Sequence, residues 1–153
     1  MTGAEECARE VLDTIPLIMR TIRSEVRQQR KPELSVPQFR TLAFLYRQPG
    51  AMLSQVAEHV GLTLPSMSKT IDVLVAQGLV ERQSNTADRR RAVLSLAPPG
   101  KAIYLAAREA ARARLADRMG KLSNGDQDVV ANAMRSLRDV FSMAGGEKAP
   151  CAK

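Results

Sequence analysis

The segment from Leu53 to Leu96 constrains the fold of this chain more than any other. It opens with Ser54, an N-cap type of residue, ahead of Val56, Ala57 and Val60 on one helical face. Gly61 supplies the left-handed conformation that ends a short helix. Thr63 is placed to cap a second helix, and Pro65 is tolerated in its first turn because no intrahelical donor is lost there. Leu64, Met67, Ile71 and Leu74 form the stripe expected to be buried. At 100° per residue, the opposite face carries Pro65, Ser66, Lys69, Asp72, Val73 and Ala76, flanked by Ser68 and Thr70. That face is small, hydroxylic and singly basic, a composition able to enter a major groove without clash. Asp72 would repel phosphate, so an internal partner is expected for it.

Gly78 closes the second helix, and two extended runs follow, Leu79 to Gln83 and Ala92 to Leu96. Between them, Ser84 to Arg91 reads as a polar hairpin tip ending in three consecutive arginines. Helix, turn, helix and basic hairpin together predict a winged helix-turn-helix. The helix would read the major groove, and the wing would set guanidinium groups on the backbone or in the neighbouring minor groove. The expected DNA contacts are Ser54, Thr63, Pro65, Ser66, Ser68, Lys69, Thr70, Asp88, Arg89, Arg90 and Arg91.

These residues resemble the multiple antibiotic resistance regulator (MarR) family of bacterial transcription factors. The resemblance is carried by Leu62 to Lys69, by Asp72-Val73-Leu74 leading into Gly78 to Arg82, and by Asp88-Arg89-Arg90 followed by Leu94-Ser95-Leu96 and Gly100. It implies that Asp88 shapes the wing and Arg90 makes its minor-groove contact. It also implies an intertwined homodimer on a palindromic operator in double-stranded DNA, and a small aromatic or phenolic ligand that releases a repressor. The sequence departs from the family at Ala97-Pro98-Pro99-Gly100, where a Thr or Ser usually caps the next helix.

The flanking segments read as helices. Val11, Ile15, Ile18, Ile22 and Val26 form a stripe at spacings of four, three, four and four, widened by Leu12 and Met19. Pro16 lies inside that helix, and a kink is expected near it. Ser35-Val36-Pro37-Gln38 reads as a capping box opening a helix with Phe39, Leu42, Ala43 and Tyr46 turned inward. Pro99 to Met119 reads as an alanine-rich helix, with Ile103, Ala107, Ala110, Ala111, Leu115 and Met119 on one side. A last helix after Ser123 carries Val130, Met134, Leu137 and Phe141. The fold class is therefore mainly α with a small β-hairpin wing. Residues 5–34 and 99–144 are dimerisation helices, 35–98 the winged domain and 145–153 a mobile tail. Their stripes exceed what one small winged domain can cover, which points to a dimer.

Charge narrows the function less than position does. The net charge is +7, with +2 in residues 1–50, +1 in 51–97 and +4 in 98–153. The excess is not concentrated in the proposed reading head, so the cluster at Arg89 to Arg91 is the sharper signal. No apolar run is long enough to span a membrane and no signal core opens the chain, giving a cytoplasmic expectation. Nothing in the sequence makes a nucleophile–base pair, metal cluster or phosphate loop, so no enzyme, metal or cofactor is expected. His59 reads as a partly buried helix residue. Cys7 is surrounded by Glu5, Glu6 and Glu10 with only Arg9 as a nearby base, which favours a structural thiol over a redox sensor. Met19, Arg20, Phe39, Arg40, Phe44, Tyr46 and Met52 are the candidate ligand pocket, with Arg20 or Arg40 as the anion partner. A redox-responsive regulator acting through Cys7, and a winged protein-interaction module without DNA binding, are the alternatives.

Overall fold

A computed structural model describes residues 2–28, 34–85 and 88–143, and it excludes the side chains of 85, 88–91 and 143. The elements run α1 (Gly3–Gln28), α2 (Val36–Arg47), β1 (Ala51–Met52), α3 (Leu53–Val60), α4 (Leu64–Ala76), β2 (Val80–Asn85), β3 (Asp88–Leu96), α5 (Pro98–Met119) and α6 (Asn124–Met143). The three strands form one antiparallel sheet in the order β1-β3-β2. The chain divides into two compact units, Met1–Arg114 and Leu115–Lys153.

The first unit is built on local signals that the sequence states openly. Ser35 caps α2 by accepting from the Gln38 amide at 3.3 Å, while the Gln38 side chain accepts from the Ser35 amide at 2.9 Å. Gly61 ends α3 at φ 78°, and Gly78 follows α4 at φ 72°. Met67, Ile71 and Leu74 of α4 are fully buried, as are Leu42 and Val56. Together with Phe44, Leu45, Ala57, Leu79 and Leu94 they make one core under the helix-turn-helix. Val26 is the one residue of α1 that is buried, and Ile22 packs beside that core. Thr41 is buried, and its hydroxyl donates to the Pro37 carbonyl at 2.7 Å.

Four expectations are corrected. Leu64 is 52% exposed, because it is the first residue of α4 and projects beyond the core; Leu62 packs against the core instead. Ser54 is not a cap. The helix starts two residues earlier, with Met52 at the N-cap position and its amide bonded to the Gln55 side chain at 2.9 Å. The hairpin strands extend further than the apolar alternation. Asp88 pairs with Asn85, so Asp88 to Arg91 belong to β3 and not to a loop. Strand β1 was not expected: Ala51 pairs with Leu94 and Met52 with Val93, and two residues carry no readable period.

Helix α5 begins at Pro98 and passes very close to Leu79, in the link between α4 and β2. The Ala97 amide donates to the Leu79 carbonyl at 3.0 Å. A Cβ on Gly100 would fall 2.0 Å from that carbonyl oxygen, so only glycine fits. Gly100, Tyr104, Ala107 and Ala111 are its buried residues. Further along, Arg114 lies 3.6 Å from Glu25 of α1. Arg112 donates to the Glu109 carboxylate, which this bond holds below the usual carboxylate range.

The second unit contains the end of α5, a turn at Gly120 and α6. Ser123 caps α6 by accepting from the Asp126 amide at 3.1 Å. Its hydroxyl also donates to the Asp126 carboxylate at 2.7 Å, so Asp126 bonds the capping side chain and not the capping backbone. Val129, Val140 and Phe141 of α6 are 66%, 64% and 67% exposed. The expected tail from 145 to 153 lies outside the described residues.

Candidate nucleic-acid interface

The candidate interface is the exposed side of α4 with the hairpin beside it. Thr63 caps α4, accepting from the Ser66 amide at 3.3 Å. Pro65 sits in the first turn, exposed with Ser66 and Lys69, whereas Ser68 is half-buried. Thr70 donates its hydroxyl to the Ser66 carbonyl at 3.0 Å and keeps only acceptor capacity for a ligand. Thr63 and Thr70 are therefore engaged in holding α4 itself, while Ser66 and Lys69 stand open on its outer face. Ser54 is exposed on α3.

Asp72 has the internal partner that its charge requires. Its Oδ1 accepts from Arg82 Nη2 at 2.7 Å, tying α4 to β2. Both side chains are partly solvated, so the pair orients Arg82 more than it stabilises the fold. By backbone, Asp88, Arg89, Arg90 and Arg91 lie on β3; their side chains are outside the described set.

A cavity of about 490 Å³ opens between α3, α4 and the hairpin. Met52, Leu53, Leu64, Ala92 and Leu94 give it apolar walls, and Ser54, Ser68, Arg82 and Ser84 give it polar ones. Of the seven residues expected around a ligand, only Met52 lines this cavity. The others lie elsewhere. Phe44 is core and stacks on the His59 ring at 4.7 Å. The Arg40 guanidinium donates to the carbonyls of His59 and Val60 at 3.0 and 3.1 Å, closing the end of α3. Phe39 and Tyr46 meet Tyr104 at 5.4 and 5.2 Å, and Lys101 lies 5.8 Å over the Tyr46 ring. Tyr46 is 40% exposed and so does not face inward. Met19 is half-buried and Arg20 exposed on α1.

Sequence reasoning missed Tyr104 and Arg82. Tyr104 was readable, since it stands three and seven residues before the buried Ala107 and Ala111. His59 is half-buried, with Arg47 Nη2 3.3 Å from its Nε2. Cys7 is exposed and not disulfide-bonded. Among the described residues, no group of His, Cys, Asp and Glu is arranged to hold a metal ion, and no helix is long and apolar enough to cross a membrane.

Capped helix, left-handed turn, buried second helix and three-stranded wing define a winged helix-turn-helix protein. Comparison with known proteins refines that class. The sequence model of the MarR family matches residues 33–91. An uncharacterised HTH-type transcriptional regulator of Bacillus subtilis, YfiV, is 26% identical over 80% of this chain and 77% of its own. Among solved structures, RV1404 from Mycobacterium tuberculosis superposes with a TM-score of 0.78 at 22% identity, covering 100% of this chain and 99% of that one. FabT of Streptococcus pneumoniae, solved in complex with DNA, gives 0.71 at 18% identity over 93% and 99%. The family match is confined to the winged-helix segment, and the structural likeness extends over the rest of the fold.

Proposed function

We propose that the chain is a homodimeric transcriptional regulator that binds a palindromic site in double-stranded DNA, acting as a repressor released by a small aromatic or phenolic ligand. The observation that carries this reading is the outer face of α4, where Ser66 and Lys69 stand exposed while Met67, Ile71 and Leu74 are buried behind them. The helix is thereby fixed with a small hydroxylic and cationic surface turned outward, the shape a major groove admits. The family match and the regulator relatives support the DNA reading. The exposed apolar residues of α6 support a dimer, since burying Val129, Val140 and Phe141 needs another surface. The half-exposed Tyr46 beside Lys101 and Tyr104 supports an aromatic acid as ligand, stacked on the rings with its carboxylate toward the ammonium. Release would be geometric. A ligand that prefers a different separation of the two reading heads lowers DNA affinity by its differential binding, typically about 1–3 kcal/mol.

Fluorescence anisotropy with a duplex from the chain's own promoter tests the proposal. Wild-type protein is expected to bind at low salt; no binding there, with a protein partner recovered by pull-down, would favour an interaction module. Lys69→Ala should weaken binding and flatten the log–log salt dependence by about one unit. An unchanged slope removes Lys69 from the backbone contacts. Arg90→Ala should lower operator affinity about tenfold or more while leaving the dimer intact, consistent with a base or groove contact worth about 1–3 kcal/mol. Wild-type affinity for that variant would sink the wing assignment.

A further inference from the structure

Resting on the DNA-binding reading above, we infer that the cavity between α3, α4 and the wing seats one phosphodiester-deoxyribose unit of the DNA backbone, with Arg82 as its anion ligand. Four polar groups converge there from three elements: Ser54 of α3, Ser68 of α4, and Arg82 and Ser84 of β2. A guanidinium and three hydroxyls form a donor set for phosphate oxygens. The remaining walls, including Met52 and Leu64, are apolar and partly exposed at 41% and 52%. A bare phosphate leaves such walls uncovered, whereas a sugar-phosphate unit is amphipathic and matches both kinds of wall. Ser68 stands on the flank of the proposed reading face, next to Lys69 in sequence.

Asp72 sets the geometry. It accepts one bond from Arg82 Nη2, and guanidinium carries five donors, so several remain for a phosphate. Asp72 is not among the cavity-lining residues, and its carboxylate is neutralised by the same guanidinium. It is a positioning residue, and Arg82 is the contact.

Removing Arg82 alone would leave Asp72 as an uncompensated charge beside the DNA, which also weakens binding. The decisive variant therefore removes the pair without changing net charge. Salt-dependent anisotropy with the own-promoter duplex is measured for wild type, Arg82→Gln and the double variant Asp72→Asn/Arg82→Gln, with a melting curve for each. We expect both variants to bind at least fivefold more weakly than wild type, with a salt slope lower by about one unit. A double variant that regains wild-type affinity and slope would overturn the inference, because Arg82 would then only neutralise Asp72. Arg82→Lys should keep the slope while losing affinity, because the charge remains without the planar fork. If wild-type protein fails to bind the duplex at all, the proposed function falls; if wild type binds and the double variant matches it, only this inference does.

Discussion

Gly100→Ala is expected to lower stability by about 3 kcal/mol, at the upper end of ordinary overpacking costs. Two opposing effects meet at this position. Alanine in a helix is normally better than glycine by about 1 kcal/mol or less. Here the added Cβ would sit 2.0 Å from the Leu79 carbonyl oxygen and 2.9 Å from its carbon. Both are backbone atoms, so no rotamer change relieves the clash. The same carbonyl accepts from the Ala97 amide, and the Leu79 amide donates to Leu74 at the end of α4. Pushing α5 away thus strains the joint that links α4, β2 and α5. Thermal unfolding at fixed protein concentration checks this, with a fall of roughly 6–12 °C expected for a chain of this size. A melting temperature at or above wild type would mean that α5 shifts freely against the link between α4 and β2.

Leu74→Ala should cost about 3 kcal/mol, within the range of about 2–5 for emptying a buried leucine site. Leu74 is fully buried, while its neighbour Val73 is 44% exposed. Val73→Ala is therefore expected to change stability by no more than about 0.5 kcal/mol. The pair of adjacent substitutions tests the rotation of α4 directly. Denaturant unfolding with unchanged m-values gives the comparison. Equal effects for the two variants would mean that α4 is turned differently about its axis.

Helix α4 was legible because three signals coincide there. Gly61 and Gly78 bound it, Thr63 caps it, and Met67, Ile71 and Leu74 repeat at helical spacing. The Ser35–Gln38 box was legible for the same reason, since its reciprocal bonds depend on residues three apart. Leu64 was misread because periodicity continues to the end of a helix while the core does not. The bonds of Arg40 to His59 and Val60 were not legible, because they cross about twenty residues of sequence and no local pattern encodes them. The proximity of Gly100 to Leu79 and the convergence of Arg82 with three serines are likewise tertiary facts. They arise where separate elements are brought together, and a one-dimensional pattern of apolar and polar residues does not record them.

Two copies are proposed to present α4 and the wing to one duplex. Hydroxyl-radical footprinting of the chain's own promoter tests this most directly. The expected result is two protected half-sites related by a two-fold axis, with centres one DNA turn apart, roughly 34–36 Å or a multiple of it. Uniform protection without half-sites, or none at low salt, would contradict binding by a two-fold pair.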